Sequence, residues 1–104
     1  MFARIWRGIA RTSVIEKYFR YLGERVIPAY RAADGCRDVW VLREAQGDYT
    51  SVVLLSFWET RTALEAFVDP QLQPEAGRGE RESLLAFEST AAIFEVVISD
   101  TSSF

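Results

Sequence analysis

Residues 51–67 read SVVLLSFWETRTALEAF, an apolar run closed by a tryptophan and followed at once by a helical pattern. Val52, Val53, Leu54 and Leu55 are consecutive, so a strand over 49–58 carries apolar side chains on both faces, whereas a strand with one wet face alternates. Thr60 is a side-chain cap for a short helix whose buried side is Ala63, Leu64, Phe67 and Val68, and Asp69-Pro70 ends it. Trp58 stands where strand hands over to helix. It either plugs that corner or forms the wall of a ligand pocket, and the stretch alone leaves both open.

Working outward, residues 2–9 (FARIWRGI) suit a first strand by length and β-propensity. Ser13 with Glu16 has the spacing of a capping box. Ile15, Tyr18, Phe19, Leu22, Val26 and Tyr30 then recur at helical spacing. Gly23 weakens this helix, Pro28 bends or finishes it, and Asp34-Gly35 marks its stop. Residues 36–45 form a second strand, joined through Gln46-Gly47-Asp48 to the strand over 49–58 as an antiparallel hairpin. Residues 69–81 read as a mobile connection, 80–87 as a brief helical turn, and 90–99 as the last strand. The order is strand, helix, strand, strand, helix, strand. It predicts an α+β, ferredoxin-like fold whose four-stranded antiparallel sheet has the first and third strands in its middle. Residues 1–99 form one domain, and 100–104 a frayed tail.

The 104 residues carry 12 basic and 15 acidic side chains, for a formal charge of -3. The charges are mixed along the chain, as in RGERE at 78–82, so no basic stripe points to nucleic acid. Cys36 is the single cysteine, which excludes an internal disulfide framework and fits a reducing, cytoplasmic setting. Histidine is absent, which removes the usual general base and the usual metal ligand, so no metal site is expected. The start, MFARIWRGI, lacks a signal-peptide pattern, and no apolar run is long enough to span a membrane. No glycine loop has phosphate-cradling placement, since Gly77 and Gly79 follow a helix, and no nucleophile triad can be assembled.

The last strand repeats the two-faced pattern with Ile93, Phe94, Val96, Val97 and Ile98. Two helices cover one face of such a sheet. A bare second face would exceed the apolar patch that monomers tolerate, so a homodimer that closes two sheets into a barrel is expected.

Three segments carry a resemblance: ARIWRG (3–8), AYRAADGCRDVWVLRE (29–44) and LLSFWETRTALEAF (54–67). Together they resemble the antibiotic biosynthesis monooxygenase superfamily of dimeric α+β barrels, over about Phe2 to Val97. The resemblance implies a homodimer with a cleft between sheet and helices, and a small aromatic ligand. The superfamily includes cofactor-free oxygenases of polycyclic phenols, haem-degrading enzymes and members without a known reaction. In the haem-degrading branch the second-helix tryptophan falls on Phe67 here, the ligating histidine on Gly77, and the strand-one asparagine near Trp6 or Arg7. All three marks are missing, which disfavours haem.

The resemblance therefore implies a cofactor-independent monooxygenase acting with O₂ on a small aromatic or phenolic molecule. The alternative is a non-catalytic dimer of the same fold that binds an apolar metabolite or has a structural role. Trp58, Arg4 and Arg7 are the candidate catalytic residues; Trp6, Tyr18, Tyr30, Trp40, Ser56 and Phe67 are candidates for lining the cleft. Phe2, Arg4, Trp6 and Gly8 share one face of the first strand, and Ala3, Ile5, Arg7 and Ile9 the other. An arginine on each face of a central strand needs compensation, either from Glu95 across the sheet or from the anion of a substrate. Asp38, on the face of Cys36, Trp40 and Leu42, is either wet or a shifted base. Tyr18 and Tyr30 are core residues with tethered hydroxyls or cleft walls, and Ser56 a backbone-bonded serine or a small anchor. Without histidine the base is a shifted Tyr, Asp or Glu, or the substrate ionises unaided.

Overall fold

The computed structural model describes residues 1–72 and 83–100. Strand β1 (Phe2–Arg11) lies between β3 (Tyr49–Trp58) and two short strands, β4 (Leu84–Phe87) and β5 (Ala92–Glu95). Strand β2 (Cys36–Gln46) forms the far edge on β3. The β2–β3 hairpin turns at Gly47, whose φ of 61° is the left-handed region that glycine adopts at no cost. Every pairing is antiparallel, and β1 and β3 are central as expected.

The outer edge of β1 departs from expectation. Residues 84–87 are not a helical turn but β4, paired with Gly8–Ala10; residues 80–82 lie outside the described residues. The last strand is confined to 92–95, paired with Phe2–Ile5, and Val97 and Ile98 stand exposed beyond it. The backbone groups of β1 need partners along its whole length, and two short strands supply them where one was expected. Glu88 bridges the gap: its N–H donates to Arg7 O at 2.9 Å, and its carbonyl accepts from Trp6 Nε1 at 2.8 Å.

The long helix is built of α1 (Ile15–Tyr21), a π-helical turn (Leu22–Val26) and α2 (Ile27–Ala32). Ser13 makes no capping box; it lies in a 3₁₀ turn, Thr12–Val14, without a side-chain cap. Tertiary bonds fix the entry instead: Thr12 N–H donates to Asp48 O at 2.8 Å and the Thr12 hydroxyl to Gly47 O at 2.8 Å. The helix continues through Pro28 rather than finishing there. The Pro28 nitrogen has no proton for the turn below, and the π turn absorbs the mismatch, with Ile27 N–H reaching Leu22 O. Ile15, Tyr18, Leu22, Val26 and Tyr30 are buried, as is Tyr21, which the periodic stripe omits.

Helix α3 (Arg61–Ala66) starts at the expected cap, where Thr60 Oγ1 accepts from Ala63 N–H at 3.0 Å. It buries Leu64, but Val68 lies past its end and is exposed rather than packed. A 3₁₀ turn, Pro70–Leu72, follows.

The helices cover the face that carries Arg4, Trp6, Gly8 and Ala10 of β1 with Val52, Leu54, Ser56 and Trp58 of β3. The opposite face bears Ile5, Arg7 and Ile9 on β1, Val53, Leu55 and Phe57 on β3, Trp40 and Leu42 on β2 and Phe94 on β5. Ile9, Trp40, Leu42 and Phe94 are exposed. A bulge at Arg37 puts Cys36 opposite Trp58 on the helix side while Asp38 faces the uncovered side. The expected shared face of Cys36 and Asp38 is thus broken. No helix among the described residues is long and apolar enough to cross a membrane.

Candidate functional site between sheet and helices

Arg4 is only 6% exposed, because its place on β1 points it under the helices. A guanidinium there must find acceptors or destabilise the fold. Arg4 Nη1 donates to the Tyr30 hydroxyl at 2.6 Å, and Nη2 meets Asp69 Oδ2 at 3.3 Å. Its carbon centre lies 5.9 Å from the Tyr30 ring centroid and 5.4 Å from that of Phe67, within cation–π range. The Tyr30 hydroxyl donates onward to Asp69 Oδ2 at 3.4 Å. Arg4 and Asp69 are the buried charged residues among those described.

Asp69 is held by its own turn. Its Oδ1 accepts from Gln71 N–H at 2.9 Å, and Gln71 Oε1 accepts from the Tyr18 hydroxyl. Beside this polar chain stand three aromatic rings. Phe67 is 4.4 Å from Tyr30 and 5.1 Å from Trp58, and Tyr30 is 6.4 Å from Trp58 between centroids. Trp58 Nε1 donates to Ser56 Oγ at 2.9 Å, so this N–H is already used within the protein.

Burial, with the Asp69 carboxylate next in effect, pushes the phenols of Tyr18 and Tyr30 well above their ordinary value of 10.0. Arg4 offsets part of this at Tyr30. Both hydroxyls stay protonated near neutral pH, so they serve as hydrogen-bond donors rather than as the shifted tyrosine base that the sequence allows. Asp69 is the carboxylate that the cluster retains.

Arg4, Tyr18, Tyr30, Ser56, Trp58 and Phe67 thus come together between sheet and helices. Trp6 is buried on the same side, but its indole is tied to the Glu88 carbonyl and its ring leans on Phe87 at 6.1 Å. Arg7 and Trp40 do not belong: both project from the uncovered face. Arg7 pairs there with Glu88 at 3.5 Å, and Trp40 is 56% exposed. Glu95 compensates neither arginine, since it sits opposite Phe2 at the sheet edge.

Sequence reading missed Asp69 and Gln71. Asp69-Pro70 reads as a helix stop, and that reading hides its charge. The available signal was Arg4 itself, a cation on a buried face that required an acidic partner. Among the described residues no group of His, Cys, Asp and Glu could hold a metal ion.

The fold is shared with solved structures of low sequence identity. A Bacillus cereus protein described as of the antibiotic biosynthesis monooxygenase type has 16% identity and a TM-score of 0.70, covering 100% of this chain and 98% of that one. The haem-degrader MhuD of Mycobacterium tuberculosis, with two haems in its active site, has 19% identity and a TM-score of 0.68, covering 97% and 100%. An MhuD variant with two manganese protoporphyrin IX molecules per active site has 17% identity and a TM-score of 0.74, covering 98% and 100%. No curated protein matches the chain in sequence. The sequence model of the antibiotic biosynthesis monooxygenase family matches residues 15–73, more than half of the chain and the span from α1 to the turn behind Asp69. The chain therefore belongs to the antibiotic biosynthesis monooxygenase family.

Proposed function

We propose that this chain is a cofactor-independent monooxygenase of a small, phenol-type aromatic molecule, working as a homodimer of one domain, residues 1–99, in a reducing cytoplasm. The observation that carries the reading is the buried Arg4 guanidinium, held against the Tyr30 and Phe67 rings with Trp58 alongside. Aromatic walls suit a planar substrate, and a desolvated cation stabilises the oxyanion that forms when the substrate ionises. Asp69 Oδ2, beside Arg4, takes the proton. The electron-rich anion then gives electrons to O₂ directly. At an activated CH₂ the balance is R₂CH₂ + O₂ → R₂C=O + H₂O, so the substrate supplies every electron. Tyr30 and Tyr18, held protonated, donate hydrogen bonds to developing negative charge.

Haem does not fit these residues. The chain has no histidine, so it offers haem no imidazole ligand. Trp6 has already used its N–H, Arg7 faces the other way, and Gly77 lies outside the described residues.

Oxygen uptake tests the reading, with anthrone- and quinol-like phenols in metal-free buffer. Wild type is expected to consume O₂ in proportion to substrate. Arg4→Met should lower kcat/KM by about a hundredfold, the scale of one oxyanion-stabilising group. No uptake across the panel would sink the proposal. The second reading, a non-catalytic dimer, is favoured by one observation: Trp6, Trp58, Tyr18 and Tyr30 have no exposed surface at all. Absence of any thermal shift across an aromatic ligand panel would support it.

A further inference from the structure

The turn that carries Asp69 is packed inside out. Asp69 and Gln71 are its buried residues, while Pro70 and Leu72 are half-covered and Val68, just before it, is exposed. A segment meant to stay down buries apolar side chains, whose loss to water nothing replaces. Polar bonds from its two buried residues end on the site's own residues: Asp69 on Arg4 and Tyr30, Gln71 on Tyr18. Water or a ligand can replace such bonds at small net cost.

We infer that Asp69–Leu72 is an internal stand-in for the substrate, with the Asp69 carboxylate seated where the ionised oxygen of an aromatic phenolate or carboxylate binds. The inference rests on the oxygenase reading for its ligand class. Arg4 Nη2 and the Tyr30 hydroxyl form the anion seat, and Asp69 Oδ2 now fills both positions. The exchange keeps the interior neutral. A phenol enters uncharged and passes its proton to Asp69. The phenolate then takes the seat on Arg4 as the protonated Asp69 leaves with its turn. One cation faces one anion before and after, so no unpaired charge is buried at any stage. The resting enzyme is consequently closed, which explains how a binding site can leave Trp58, Tyr18 and Tyr30 without exposed surface.

Tryptophan fluorescence titrations with 2-naphthoate and its neutral amide test this on wild type and Asp69→Asn. Removing the internal competitor should tighten naphthoate binding at least about tenfold, because apparent affinity is scaled by the fraction of molecules already open. The amide should bind both proteins alike, and Asp69→Asn should lose anthrone turnover while gaining anion affinity. A residue with only a structural role would weaken both ligands together.

In wild type, saturating naphthoate should also speed hydrogen exchange at the Gln71 and Leu72 amides, which donate to Asp69 Oδ1 at 2.9 Å and Asp69 O at 3.0 Å. That measurement decides the matter if Asp69→Asn does not fold. Unchanged or weaker naphthoate binding in a folded Asp69→Asn overturns the inference, as does an unchanged exchange rate or no naphthoate binding to wild type. Oxygen uptake without the affinity gain removes this inference and leaves the oxygenase reading. The affinity gain without any uptake does the reverse.

Discussion

Arg4 and Asp69 lie 65 positions apart in sequence and meet at 3.3 Å in the interior. A buried ion pair is a poor source of stability, since desolvating both charges costs about as much as their attraction returns. Removing one partner is another matter. Arg4→Met strands the Asp69 carboxylate and should cost about 3–5 kcal/mol of unfolding free energy by urea titration. The double substitution Arg4→Met with Asp69→Leu should recover most of that loss, to within about 1 kcal/mol of wild type or better. Such recovery would mean that the pair is kept for chemistry rather than for stability. A double variant as unstable as the single one would mean that the pair holds the fold, and the case for a retained functional cation would weaken.

Among the elements, α3 is only six residues long and depends on what flanks it. Its cap on Thr60 was legible because a threonine before an Ala-Leu pattern is a local signal. Its seat on the start of β2 was not. Gly35 has φ of 84°, its carbonyl accepts from Glu59 N–H at 2.8 Å, and a Cβ there would come within 2.6 Å of Ala63 Cβ. Gly35→Ala should therefore combine left-handed strain with a steric overlap and lower stability by about 2–4 kcal/mol in thermal melts. A loss under about 0.5 kcal/mol would show that α3 is free to shift, contrary to its packing here. The capping box at Ser13 is the converse case. Its spacing was right, yet the bonds from Thr12 to the hairpin turn at Gly47 and Asp48 set the helix entry first.

At the scale of the whole molecule, the face away from the helices carries Ile5, Val53, Leu55 and Phe57 half-buried, with Ile9, Trp40, Leu42 and Phe94 exposed. A lone chain would present this face to water, and a second copy laid sheet to sheet would cover it. Sedimentation at micromolar concentration should give the mass of two chains. Leu42→Glu should shift it to one chain while far-UV circular dichroism keeps the β signal. A well-folded single chain for wild type would overturn the dimer. In such a dimer Arg7 and Trp40, which lie on the uncovered face, would sit between protomers rather than in the cleft.

The sequence by itself determined the α+β order, the β2–β3 hairpin, the central places of β1 and β3, and the Thr60 cap. The element order, the hairpin and the cap depend on residues a few positions apart, through side-chain period or turn chemistry, and the central places of β1 and β3 follow from the order of the elements. Only the tertiary structure decided which arginine is buried, that Asp69 answers it, and that the last edge divides into β4 and β5 around Glu88. A charge is satisfied by whatever acceptor the chain brings near in space. The half-turn flip at Arg37, which separates Cys36 from Asp38, likewise exists only because β3 fixes the register of β2. Long-range pairing settles such matters, and no local pattern encodes it.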